Sequence, residues 1–220
     1  VMETAGAGKG AAVTLLVPAT ATLADGSSVT INTSYPFSDS VQVSCKPKAA
    51  AFPLLIRVPS WATKATLNGK PVAAGAFAQQ TCSPGGPNSF TLELAPEITV
   101  EEWAADQHGG AAPHPGYSVV RGPLLYSLPV EHNYTTYGRH FGSGDEASND
   151  YFLRPTSPWN YALDIDLDDP AKTLTFTAGE PYSPGAAPFN RTGPFAIKAS
   201  ARLLPSWGLE LNSAAPPPRS

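Results

Sequence analysis

Charge is scarce in this sequence. Only 15% of its 220 residues are Asp, Glu, Lys or Arg, the formal net charge is −4, and Lys and Arg never form a run. No basic stripe is present to neutralise a nucleic acid backbone, which excludes nucleic acid as a partner. Long apolar runs are also absent. No segment approaches the roughly 20 uninterrupted apolar residues that cross a bilayer, and no basic region followed by an apolar block opens the chain. The chain therefore reads as soluble, without a membrane partner. Since it begins at Val1 rather than at a methionine, it reads as a processed chain or a fragment.

The usual local signs of catalysis are lacking as well. Cys45 and Cys82 are the only cysteines, too few for a four-thiolate metal site, and they leave open one disulfide or two buried thiols. Gly8-Lys9-Gly10 is followed by Ala11, whereas a phosphate loop needs Ser or Thr after Gly-Lys and a strand before it. His108, His114, His132 and His140 stand in loop-like sequence, without the helical spacing of a zinc protease. No serine occupies a Gly-x-Ser-x-Gly elbow. A calcium loop opening at Asp164 would need Gly and Glu where Asp169 and Thr175 stand. Asp164 and Asp166 instead read as the solvent face of a strand, with Asp168-Asp169-Pro170 as its turn. A pair of glycosidase carboxylates is defined by separation in space, and the sequence singles out none of Glu93, Glu97, Glu101, Glu102 or Glu131. No catalytic residue, metal ligand or cofactor is assigned to this chain.

What is abundant is Pro (24 residues), Gly (19) and hydrophobic side chains (42%). That mixture favours short strands joined by turns, and the fold class is all-β. At this length roughly 70 to 75% of the unfolded surface can be buried, enough for a real core. Strands are expected at 13–17, 29–34, 41–45, 54–58, 65–67, 77–81 and 90–94, each bounded by Pro, Gly, Asp or Asn. Val41, Val43 and Cys45 share one face, and so do Phe90, Leu92 and Leu94. Leu54, Ile56 and Val58 alternate up to Pro59, and the Asn68-Gly69 pair supplies a tight turn, so 54–72 reads as one β-hairpin.

These strands compose two antiparallel β-sandwich domains in tandem: a flexible lead-in at 1–12, a first sandwich at 13–103, a linker at 104–116, a second sandwich at 117–212 and a Pro-rich tail at 213–220. In the second, strands are expected at 117–121, 124–130, 161–167, 173–177, 195–204 and 207–211. Segment 124–130 is apolar on both faces like a central strand, and 131–149 reads as a lid-like excursion. Trp61, Trp103, Trp159 and Trp207 are candidates for stacking on sugar rings, against the alternative of filling cores. Sequons at Asn32, Asn133 and Asn190 point to N-glycosylation and a secretory route, to a secreted or cell-wall location.

One set of residues is more specific than composition. Leu15-Leu16-Val17-Pro18, Tyr35-Pro36-Phe37, Leu55-Ile56-Arg57-Val58-Pro59-Ser60-Trp61, Leu67-Asn68-Gly69 and Val120-Arg121-Gly122-Pro123-Leu124-Leu125-Tyr126 occur in that order. Together they resemble the C-terminal part of glycoside hydrolase family 127, the β-L-arabinofuranosidase-like family. Trp159-Asn160-Tyr161-Ala162-Leu163 and the stretch from Ala201-Arg202 to Trp207 are similar to the second sandwich of some relatives. The resemblance covers nearly the whole chain.

It implies an (α/α)6 barrel upstream, followed by two β-sandwiches. It also implies that a cysteine nucleophile, a glutamate and a zinc ion held by cysteines and that glutamate all lie in the barrel. Cys45 and Cys82 do not match the barrel's cysteines, so zinc is expected only outside this chain, and the missing barrel is the expected partner. The loop Cys82-Ser83-Pro84-Gly85-Gly86-Pro87 departs from the relatives, and 131–149 has no counterpart in the resemblance. The rival expectations are a freestanding carbohydrate-binding or cell-wall module and a structural protein that binds a partner.

Overall fold

A computed structural model describes residues 1–4, 10–103, 116–139, 149–179, 194–211, 213–215 and 218. The expected linker, apart from Gly116, and Asn190 lie outside the described residues. The chain divides into two units. The first comprises Val1–Thr99, Val120–Leu124 and Phe176–Ala196, and the second comprises Val100–Val119, Leu125–Thr175 and Ile197–Ser220.

The first unit carries β1 (Met2–Thr4), β2 (Gly10–Val13), β3 (Ala19–Thr22), β4 (Ser28–Asn32), β5 (Ser40–Lys46), β6 (Phe52–Arg57), β7 (Thr66–Leu67), β8 (Lys70–Pro71), β9 (Phe77–Cys82) and β10 (Ser89–Glu93). They form one sheet in the order β1-β2-β6-β9 and another in the order β3-β4-β5-β10-β7-β8. Alternation explains what lies between them. From the larger sheet Val29, Ile31, Val41, Val43, Phe90 and Leu92 are buried, while Ala11, Val13, Phe52, Leu54 and Ile56 are buried from the smaller one. This is the first sandwich.

β6 pairs in parallel with β2, Ala11 opposite Leu54, and antiparallel with β9. The parallel pair departs from a purely antiparallel sandwich. It also accounts for the small residues of β2, because a Cβ at Gly10 would collide with the Pro53 carbonyl oxygen. Residues 1–12 are thus not a simple flexible lead-in: β1 and β2 pair with each other through Met2 and Ala12. The strand expected at 13–17 lies earlier, since the small side chains of Gly10 to Ala12 hide its start in a hydrophobicity pattern.

The single hairpin expected over 54–72 is corrected. Asn68 and Gly69 do form its turn, with φ of 50° and 75°, but they join only β7 to β8. β6 lies in the other sheet. Pro59, which has no N–H, ends β6, and Ala62 and Ala65 form two successive turns, bonding to Pro59 and Ala62 at 3.1 and 3.2 Å, as the chain crosses between sheets. Both alanines are buried in the core.

Cys45 on β5 and Cys82 on β9 form a disulfide between the two sheets, with Cα atoms 6.2 Å apart. Both sulfur-bearing residues are buried, at 4% and 0% exposure.

The chain passes between units within strands. β11 (Ile98–Trp103), β12 (Gly116–Arg121) and β13 (Leu124–Tyr126) form one three-stranded sheet, while β16 (Tyr161–Asp164), β17 (Leu174–Ala178) and β18 (Phe195–Leu203) form another, in the order β16-β18-β17. β14 (His132–Arg139) pairs with β15 (Asn149–Pro155), and β19 (Leu209–Glu210) with β20 (Ser213–Ala214). The described residues are therefore all-β apart from a 3-10 turn at Pro170–Lys172.

Three expectations for this half are revised. Segment 124–130 is not a central strand: β13 stops at Tyr126, lies at a sheet edge, and leaves Leu125 and Leu128 exposed. Segment 131–149 is not merely a lid-like loop, because it contributes all of β14, whose Thr and Tyr content suits a strand. The tail begins with a paired strand at Ser213.

Replacing both cysteines (Cys45→Ala with Cys82→Ala) is expected to lower unfolding stability by about 4 kcal/mol, the loop-closure value for a separation of 37 residues. A urea midpoint that does not move would mean that packing alone holds the sheets.

Candidate functional site

The motif ending in Trp61 lines a hollow of about 190 Å³ in the first unit. β6 ends at Arg57, Pro59 turns the chain, and Trp61 follows, half-buried against the sandwich core. Leu15, Val17 and Tyr35 complete the principal walls. Leu16 points into the core while Leu15 and Val17 stay 62% and 46% exposed, so the short extended run after β2 presents two aliphatic side chains outward. Burial pushes the Tyr35 phenol above its usual range, and the Arg57 guanidinium pulls it the other way.

Behind this hollow a second motif is anchored. Arg121 is 8% exposed in an otherwise apolar stretch. Its Nη1–H and Nη2–H donate to Asp39 Oδ1 and Oδ2 at 3.2 and 2.6 Å, and its guanidinium lies 3.8 Å from the Phe176 ring centre. The next residue, Gly122, has φ of +58°, and a Cβ there would lie 3.3 Å from the Trp61 ring and 3.1 Å from Pro96. The glycine of one motif thus leaves room for the tryptophan of the other.

The second unit holds a larger hollow of about 630 Å³, lined mainly by Tyr126, Leu128, Tyr161, Leu163, Leu174 and Ile197. Its wall is apolar. Among the described residues no Asp, Glu, His or Cys lines either hollow; their titratable lining is Tyr126, Tyr161 and Lys198 in the larger and Tyr35 and Arg57 in the smaller. Among those residues no group of three or more His, Cys, Asp or Glu is placed to hold a metal. A zinc held by cysteines does not fit this chain's described residues, because the sulfurs of Cys45 and Cys82 are bonded to each other and are not thiolates.

The four tryptophans are not brought together. Trp61 lies in the first unit and the other three in the second. Trp159 and Trp207, both half-buried, meet edge to face at 5.2 Å, and Trp207 Nε1–H donates to the Ala215 carbonyl at 2.6 Å. Trp103 is 59% exposed, with its Nε1–H on Ser118 Oγ at 2.6 Å. Asn32 and Asn133 are exposed.

The acidic cluster forms a turn. Asp166 Oδ1 accepts the backbone N–H groups of Asp168 and Asp169, each at 3.0 Å. The Asp169 N–H, with Lys172 nearby, holds the Asp166 carboxyl below its usual range. Sequence reasoning missed the hollow around Arg57 and the Arg121–Asp39 pair. A charged residue inside an apolar strand segment was the available signal for both.

Fold and hollows together define a β-sandwich module. Residues 10–81 match the family model described as Beta-L-arabinofuranosidase, GH127 middle domain, so the chain carries a GH127-like region spanning β2 to β9. Among solved structures, one named Glycoside hydrolase aligns with a TM-score of 0.39 and 20% identity, over 67% of this chain and 27% of that one. Ara127N-Se, a GH127 beta-L-arabinofuranosidase from Geobacillus stearothermophilus T6, aligns with a TM-score of 0.38 and 20% identity, over 66% and 30%. The chain spans less than a third of the length of either structure. No curated protein matches it.

Gly122→Val is expected to cost about 2 kcal/mol, from the left-handed backbone and the contact with Trp61; a thermal melt followed by tryptophan fluorescence would register both the loss and the displaced ring. For Asp166 the folded pKa is depressed, so its contribution is present above the unfolded value and is lost as pH falls through the lower, folded value. Asp166→Asn should therefore flatten the loss of stability below about pH 4. Parallel acid titrations of variant and parent would show no such benefit if the turn does not form.

Proposed function

We propose that these 220 residues are the non-catalytic β-sandwich region of a family-127-type glycoside hydrolase. Bond cleavage, on β-L-arabinofuranoside-like substrates, belongs to a helical barrel outside this sequence. That barrel is this chain's partner, and the zinc of the reaction belongs to it. The observation that carries this reading is the match of residues 10–81 to the family's middle domain. Its residues fold as the sandwich core, and no carboxylate, imidazole or thiol of the described residues lines the hollow they form.

The same reading places the protein on a secretory route, in a secreted or cell-wall location. A buried inter-sheet disulfide suits an oxidising compartment, and the exposed Asn32 and Asn133 sequons are available to glycosylation. A second reading, glycan binding by the chain itself, draws on Trp103, whose exposed ring is anchored through Ser118.

Assays of the 220-residue chain and of the complete polypeptide of its gene on a chromogenic β-L-arabinofuranoside test the main reading. The chain alone should not exceed the buffer rate, while the complete polypeptide should turn the substrate over. Turnover by the chain alone, or a complete polypeptide without a further domain, would refute the accessory role. A glycan-induced change in tryptophan fluorescence that disappears in Trp103→Ala would favour the second reading.

A further inference from the structure

We propose that the hollow around Arg57 is a docking seat for a protein segment of the parent polypeptide outside these 220 residues. The segment carries a carboxylate beside an apolar side chain. This rests on the accessory-region reading and names the surface through which that region would engage its partner.

Charge selects the occupant. The Arg57 side chain is exposed at the end of β6 and has no hydrogen-bond or ion-pair partner among the described residues, whereas Arg121 and Lys64 in the same unit are paired with Asp39 and Glu97. No carboxylate of the described residues lines the hollow. A guanidinium between aromatic and aliphatic walls is complementary to a carboxylate that arrives with apolar company, because exclusion of water strengthens the pair. The Tyr35 hydroxyl can add a donor to the same carboxylate or to a backbone carbonyl.

Size argues against a free small molecule. The volume of about 190 Å³ falls below the roughly 300 to 1,000 Å³ of typical ligand pockets. It suits a pair of side chains. Leu15 and Val17, 62% and 46% exposed, present an aliphatic pair that an apolar side chain can cover. The lining is mixed, with the Thr14, Ser60 and Tyr35 hydroxyls beside the aliphatic pair and the cation, which suits the backbone, apolar side chain and carboxylate of a protein segment.

The test uses the complete polypeptide with Leu15→p-benzoylphenylalanine, and Val17→p-benzoylphenylalanine as a second position. Both side chains are already exposed, so the larger ring needs no core space. Irradiation and peptide mass spectrometry should give a cross-link to an Asp- or Glu-bearing segment outside residues 1–220. Arg57→Glu should lower its yield at least fivefold, and reversing the partner carboxylate to Lys should restore it. Cross-links confined to these 220 residues, to a second copy or to a glycan would overturn the proposal, as would a yield indifferent to Arg57→Glu. Arabinofuranosidase activity without the cross-link would sink the docking seat and leave the accessory reading intact. A complete polypeptide with neither activity nor a further domain would remove both.

Discussion

The burial of one face of β6 is the constraint on which the first unit depends. Leu54, Ile56 and the following Val58 are completely shielded from water, and Phe52 is nearly so. Each such side chain is worth roughly 1.5 to 3 kcal/mol when fully buried, so this strand alone commits the chain to bringing up a facing sheet. β2 must then be built from small residues to lie alongside β6, β9 must close its other edge, and the Cys45–Cys82 bond ties that arrangement to the opposite sheet. The C-terminal end of the strand is exposed, and Arg57 is its last residue.

Much of this was legible in local pattern. The alternation along β4, β5 and β10 places Val29, Val41, Val43, Phe90 and Leu92 inside, and Asn68-Gly69 specifies its turn wherever it occurs. Partner choice was not legible. Nothing local in residues 54–58 distinguishes a hairpin with 65–67 from a parallel pairing with residues more than 40 positions upstream, because register between distant strands is set by the whole core. β2 was misplaced for a related reason: Gly10, Ala11 and Ala12 are chosen for close approach, and closeness leaves no hydrophobic signature.

The functional surface divides in the same way. The tryptophan and the glycine of two motifs separated by some 60 positions were each visible in the sequence, yet only the fold shows that one makes room for the other. Arg121 looked like a signature and is an anchor, held by Asp39 and by the face of Phe176. Arg57 is the contrasting case, a cation of the same unit without an ion-pair partner among the described residues. Among the described residues of this unit, Arg121 is tied down by Asp39 and Arg57 is left exposed to solvent.

The composition of the first unit from three separate stretches bears on how it is made at the ribosome. Asp39 is synthesised 82 positions before Arg121, on the order of ten seconds earlier at usual elongation rates. Phe176, which covers the guanidinium, comes later still. The nascent sandwich can gather its two sheets early, but it keeps an unmatched carboxylate at its surface until the second half of the chain has emerged. Completion of the first unit is therefore tied to synthesis of the second, and a translation arrest between them would release a sandwich that is folded in its core and unfinished at its margin.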